Sequence, residues 1–192
     1  MVKPEKLKLN HVKQYEMKCD KGKKLDFIKE VFETCESTQT FIFVNSKDFA
    51  EKIHGLLRQA NFKSYIMFAK MTKDERDQTI AQFRNQEIHV LITTNMIARG
   101  IDVPETQLVI NYDVPTIKFN NQSIADPEIY MHRIGRTGRF GKPGIALTIY
   151  DRDVDKKHLD DIVDHYAMKE MMNQLEGPDH LSDLLKELNT DA

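Results

Sequence analysis

The chain is expected to fold as an open, mainly parallel α/β sheet with helices on both faces, and two observations carry that expectation. Short runs rich in Val, Ile, Leu and Phe alternate with longer amphipathic segments along most of its 192 residues, the pattern of repeated βα units. The apolar runs are continuous rather than alternating, as strands buried on both faces require.

In chain order the strands are expected at Lys13 to Cys19, Thr40 to Val44, Ser64 to Phe68, His89 to Thr93, Leu108 to Tyr112 and Ile145 to Tyr150. Between them, Lys23 to Cys35 spaces Leu25, Ile28, Val31 and Phe32 at helical intervals, and Ser46 to Gln59 puts Phe49, Ile53, Leu56 and Leu57 on one stripe. Thr72 to Asn85 opens with a Thr followed three residues later by Glu75, the signature of a capping box. Val154 to Tyr166 carries Leu159, Ile162 and Val163 on one face. Asp179 is expected to cap a last short helix, Leu181 to Leu188, set off by the breakers Gly177 and Pro178. Val114 to Asp126, with Pro115, two asparagines and few large apolar residues, is expected to be a surface loop.

Composition bounds the molecule. With 40% hydrophobic residues, the chain can fill one core and is expected to be a single domain, 1–192. Twenty-eight basic residues face 30 acidic ones, which excludes a wholesale polycation; any contact with nucleic acid must be local. The charge is unevenly laid out: nine lysines against four acids in Met1 to Lys29, five basic residues against twelve acids in Asp151 to Ala192, and Arg133, Arg136, Arg139 and Lys142 with no acid in Tyr130 to Lys142. The longest apolar runs fall far short of the roughly 20 residues of a membrane span, and no apolar signal core follows Met1. Cys19 and Cys35 form no Cys-x-x-Cys pair and are expected to be small buried hydrophobes in a reducing compartment.

An α/β chain of this size invites a search for a phosphate-binding loop, but no Gly-x-x-x-x-Gly-Lys, Gly-x-Gly-x-x-Gly, His-Glu-x-x-His or Gly-x-Ser-x-Gly pattern occurs, and no metal ligand set is expected. His158 and His165 stand seven apart on a helix and are left as surface or packing residues. Chemistry concentrates in two other places. In Tyr130-Met131-His132-Arg133-Ile134-Gly135-Arg136-Thr137-Gly138-Arg139-Phe140-Gly141, arginines recur every three residues among glycines. Guanidinium forks match phosphate oxygens, and the glycines permit close approach of a backbone or ligand. The second segment, Val90 to Pro104, is a buried strand that ends in hydroxyls and leads into Ala98-Arg99-Gly100-Ile101-Asp102; strand ends are where open α/β sheets build sites.

Together these two segments, separated by Asn111-Tyr112-Asp113-Val114-Pro115, resemble the second RecA-like domain of a DEAD-box RNA helicase. The likeness runs from Lys13-Gln14-Tyr15 through Phe41-Ile42-Phe43-Val44-Asn45-Ser46-Lys47 to the last helix. It implies a RecA-like fold and an N-terminal RecA-like domain, lying elsewhere, that carries the phosphate loop and Asp-box and holds ATP with its magnesium ion. It further implies that Arg136 and Arg139 are arginine fingers on the γ-phosphate, that Gly100 and Asp102 lie against the nucleotide, and that His132, Arg133 and Arg99 couple to the Asp-box domain. Ser46, Arg76 and Thr94 match positions that contact the phosphates of single-stranded RNA. The chain departs from many relatives in having Phe68-Ala69 in place of His-Gly and Lys73 in place of Gln.

The long stretch Thr116 to Ile129 is similar to that of the messenger-RNA-export subgroup, which implies nuclear-pore and export partners, among them an activator recruited through inositol hexakisphosphate. It also implies residence in cytoplasm and nucleus, at the cytoplasmic face of the pore. A translation-type helicase domain and a non-enzymatic RNA or protein docking module are the alternatives; the isolated domain is expected to be monomeric and inert.

Overall fold

The computed structural model describes residues 11–35, 39–94, 106–138 and 142–190. Its order is β1 (Val12–Lys18), α1 (Lys24–Thr34), β2 (Thr40–Phe43), α2 (Lys47–Gln59), β3 (Ser64–Met67), α3 (Lys73–Arg84), β4 (Val90–Thr93) and β5 (Leu108–Asn111). Then follow β6 (Thr116–Phe119), β7 (Gln122–Ala125), α4 (Pro127–Ile134), β8 (Gly144–Tyr150), α5 (Asp153–His165), a 3-10 turn (Lys169–Met171), β9 (Met172–Gln174) and α6 (Pro178–Thr190).

Seven strands form one sheet in the order β3-β4-β2-β5-β8-β1-β9, and every pairing in it is parallel. Successive residues of a strand point to opposite faces, and here both faces are covered. Ile42, Val44, Ile92, Ile110 and Leu147 join Ile28, Val31, Ile53, Leu57 and Leu185, so α1, α2 and α6 cover one face. Phe41, Phe43, Leu91 and Val109 join Ile80 and Phe83 of α3, and Ala146 joins Tyr130 and Ile134 of α4 and Leu159 and Ile162 of α5. Two-sided burial is why the strands read as unbroken apolar runs. This is the open parallel α/β architecture expected from the sequence, and all six expected strands and five expected helices are present within one or two residues at most ends.

Several features differ from expectation, among them α4, a helix not anticipated over Pro127–Ile134. Val114 to Asp126 is not an irregular loop: β6 and β7 pair antiparallel as a hairpin, with Ile117 opposite Ile124. Its turn is made by Asn120 and Asn121, both at positive φ (46° and 60°), the geometry of a type I′ turn, which asparagine tolerates. Asp179 is no cap, because α6 starts one residue earlier with Pro178 at its head, a position where the missing N–H costs nothing. The edge strand β9 escaped notice because three residues carry no periodicity.

Cys19 is buried and Cys35 only partly so. No helix among the described residues is long and apolar enough to cross a membrane, and no group of three or more His, Cys, Asp or Glu side chains among them is arranged to hold a metal ion.

Candidate functional site

Ser46, Thr94 and Arg76 lie at the carboxyl edge of three neighbouring strands. Ser46 follows β2 in extended conformation, and its Oγ caps α2 by accepting the Phe49 N–H at 3.3 Å; the hydroxyl proton remains available as a donor. Thr94 follows the last residue of β4, half-buried, and its carbonyl accepts the Thr93 hydroxyl at 3.3 Å. Arg76 sits in the first turn of α3. A local ion pair would be the commonplace use of such an arginine, yet none involves it among the described residues, since Glu75 turns back onto the N–H (2.7 Å) and hydroxyl (3.0 Å) of Thr72 to close the capping box. Those bonds hold the Glu75 carboxyl below its ordinary pKa. Two capped helix N-termini therefore meet a free guanidinium at one edge, an arrangement favourable to an anion.

Beside them lies a polar network that joins Arg133 to Asn45, Asn111, Asp113 and Lys24. Arg133, in the last turn of α4, is fully buried. A helical side chain leans toward its own helix N-terminus, and this one runs back along the sheet to the ends of β2 and β5. Nη1 donates to the Asp113 carbonyl (2.6 Å) and to Asn111 Oδ1 (3.3 Å), Nη2 donates to Asn45 Oδ1 (2.9 Å), and the guanidinium lies 5.2 Å from the centre of the Phe43 ring. The Asp113 carboxylate receives the Asn45 N–H (2.8 Å) and the buried Lys24 ammonium (2.9 Å), which also sits 4.2 Å from the Tyr112 ring centre. Burial draws the Arg133 pKa down, and the charges of Asp113 and Asp126 draw it back. The Arg133 guanidinium, which the resemblance implies couples to the Asp-box domain, is held here by contacts within its own domain. The signal that could have found this network is the row of polar residues, Asn45, Asn111 and Asp113, that ends two otherwise apolar strands.

His132, one position earlier, is partly exposed and lies 3.5 Å from Glu128 one turn back. Arg136 is at the opposite, amino edge of the sheet and is 7% exposed. Its N–H donates to the Arg133 carbonyl (3.1 Å), and its own carbonyl accepts the N–H (3.3 Å) and hydroxyl (3.2 Å) of Thr106. Thr137 forms a parallel bridge with Thr106. The glycines here admit the chain's own backbone: Gly138 has φ +69° and a Cβ there would stand 2.5 Å from Val12 Cγ2, while one on Gly144 would stand 1.8 Å from Thr137 Oγ1. Arg99, Gly100, Asp102 and Arg139 lie outside the described residues.

The site therefore has two ends: hydroxyls and a guanidinium at the carboxyl edge, an arginine turn at the amino edge, and α4 between them. The model of the helicase conserved C-terminal domain matches residues 23–141. The chain belongs to that family, in its DEAD-box branch. This helicase C-terminal domain is 37% identical over 170 residues to an ATP-dependent RNA helicase FAL1 of Candida glabrata, covering 88% of this chain and 40% of the relative. It is 40% identical over 153 residues to an ATP-dependent RNA helicase DBP5 of Scheffersomyces stipitis, covering 79% and 30%. Among solved structures, a variant of S. cerevisiae Dbp5 bound to RNA and ADP BeF3 superposes with a TM-score of 0.84 at 32% identity, over 98% of this chain and 48% of that one. The RecA-like fold expected from the sequence is thereby shown. The helicase domain spans about two fifths or less of the length of these curated relatives.

Proposed function

We propose that this chain is the second RecA-like domain of an ATP-dependent RNA helicase, and that it closes on an N-terminal RecA-like domain when ATP and single-stranded RNA bind together. The carboxyl edge holds the RNA backbone through the hydroxyls of Ser46 and Thr94 and the guanidinium of Arg76, contacts that read no bases. At the amino edge Arg136 and Arg139 act on the γ-phosphate, where guanidinium forks stabilise the charge that develops on the transferred phosphoryl group. Gly100, Asp102 and Arg99 complete the nucleotide contacts. Magnesium is held by the other domain, and His132 joins the two domains.

The observation that carries this reading is the division of the site between two sheet edges, within a family whose relatives are named ATP-dependent RNA helicases. Arg136 is nearly buried here, so its delivery to a phosphate requires domain closure to re-aim the turn; alone, the domain should be inert. The whole protein carrying Arg136→Ala should lose about a thousandfold in RNA-stimulated ATP hydrolysis, and Arg136→Lys most of that, with circular dichroism unchanged. Normal turnover in both variants refutes the assignment. A non-enzymatic RNA-binding module would instead bind RNA tightly and salt-dependently as this chain alone.

The ordered β6–β7 hairpin, together with the likeness to Dbp5, supports a place in messenger-RNA export at the cytoplasmic face of the nuclear pore. A variant of the S. cerevisiae Dbp5 C-terminal domain has been solved bound to Gle1 and IP6, at 33% identity to this chain. Capture of a pore activator by this chain only when inositol hexakisphosphate is present supports the export role; capture of a translation scaffold instead replaces it.

A further inference from the structure

We propose that the carboxyl edge carries a base-stacking site made by the Phe68 ring, with Lys47 beside it for a phosphate, so that this domain grips one nucleobase as well as the RNA backbone. The role of this site rests on the RNA reading of that edge and deepens it. Core packing does not account for the ring. Phe68, half-buried, follows the last residue of β3 and joins neither of the apolar clusters that flank the strand. Its neighbours do: Met67 is fully buried on the α3 face, and Ile66 packs on the α2 face. Side chains of a strand alternate in direction, so Phe68 leans as Ile66 does, toward α2, one step beyond the covered sheet. There it meets Lys47, the first residue of α2, whose Nζ lies 5.0 Å from the ring centre.

Register sets the ring in line with the hydroxyls. Met67 pairs with Thr93, and Thr93 with Phe43, so Phe68, Thr94 and Val44 emerge level from three adjacent parallel strands, with Ser46 two residues past Val44. The Thr93 hydroxyl is 3.3 Å from both the Met67 and the Thr94 carbonyls and holds the ends of β3 and β4 together. The backbone under the ring is fixed as well. The Phe68 N–H donates to Met71 Sδ (3.3 Å), the Met71 N–H donates to the Phe68 carbonyl (3.2 Å), and Met71 packs against the cluster of Phe41 and Phe83. A ring held in place beforehand loses little freedom on binding. Lys47 stays 65% exposed, 3.5 Å from Glu51 one turn on; exposed pairs of this kind hold weakly, which leaves the ammonium to an incoming phosphate. Phe49, the other exposed aromatic near Ser46, turns toward Tyr112 instead, with ring centres 5.4 Å apart. Every base presents a π face, so one ring adds affinity without reading hydrogen-bond patterns.

The test compares two single strands of about ten nucleotides on the whole protein held with ADP and beryllium fluoride: an oligoadenylate, and the same ribose-phosphate chain without bases. The parent should bind the adenylate about fivefold or more tighter than the abasic chain. Phe68→Leu should lower that preference about fivefold or more while binding the abasic chain within twofold of the parent, and Phe68→Tyr, which keeps the ring, should retain it. Lys47→Gln should weaken both strands and reduce the slope of log affinity against log salt by about 0.7. A preference undiminished in Phe68→Leu overturns the stacking site, and so does an equal loss on both strands, the mark of a ring that only supports its loop. A salt slope unchanged in Lys47→Gln overturns the phosphate contact. A parent that binds neither strand refutes the RNA reading itself, and the site with it.

Discussion

Arg133 shows what a single buried charge demands. Removing it from water is unfavourable, and the bonds to Asn45, Asn111 and Asp113 compensate only as a set. Arg133→Met should therefore lower the free energy of unfolding by about 1–3 kcal/mol, read from urea denaturation, because it leaves the buried Asn111 Oδ1 and the partly buried Asp113 carbonyl without their donor. Gly144 makes a steric demand instead: its missing Cβ leaves room for Thr137 Oγ1. Gly144→Ala should destabilise by about 1–3 kcal/mol, the usual cost of overpacking, and Thr137→Ser, which keeps the hydroxyl, should not relieve it.

At the scale of elements, the ends of α5 and the hairpin carry information that composition hides. The last turn of α5 closes with the Met168 N–H on the Val163 carbonyl (2.9 Å) and the Ala167 N–H on the Asp164 carbonyl (3.1 Å). That is a Schellman motif with alanine, at φ 51°, where glycine is favoured. Ala167→Gly should raise stability by about 0.5–1 kcal/mol, visible as a higher Tm. The same helix is tied to β1 by Lys156, which bonds both Glu16 carboxylate oxygens at 2.8 Å and Asp160 at 2.8 Å. Burial pulls the Lys156 pKa down, but the bonds and charges of Asp160 and Glu16 outweigh it and leave the pKa above 10.5. A raised folded-state value means that this contribution is complete below the unfolded lysine value and is lost as pH rises through the folded one. Glu16→Gln should accordingly flatten the fall in stability on the alkaline side of pH 10, measured by denaturant titration across pH.

For the molecule as a whole, the parallel topology separates two chemistries. Residues that follow a strand gather at one edge, and residues that precede a strand gather at the other. Ser46 and Thr94, which match RNA-contacting positions, belong to the first group and Arg136, which matches an arginine finger, to the second. The domain alone should bind ATP weakly and hydrolyse none in the presence of RNA, by a coupled phosphate-release assay; measurable turnover by the 192-residue chain would refute the half-site account.

Periodicity, capping chemistry and turn residues act over a few positions, which is why the main strands, the Thr72 capping box and the two arginine and glycine segments were legible from the chain alone. The hairpin was partly concealed because Asn120-Asn121 carries a weaker turn signal than Asn-Gly, and β9 because pairing with β1 is its whole reason to be a strand. The inward course of Arg133 had no local signature at all. It follows from burial beneath α4 and from acceptors at Asn45 and Asn111, 88 and 22 positions away, which only the folding of the sheet brings within reach of one guanidinium.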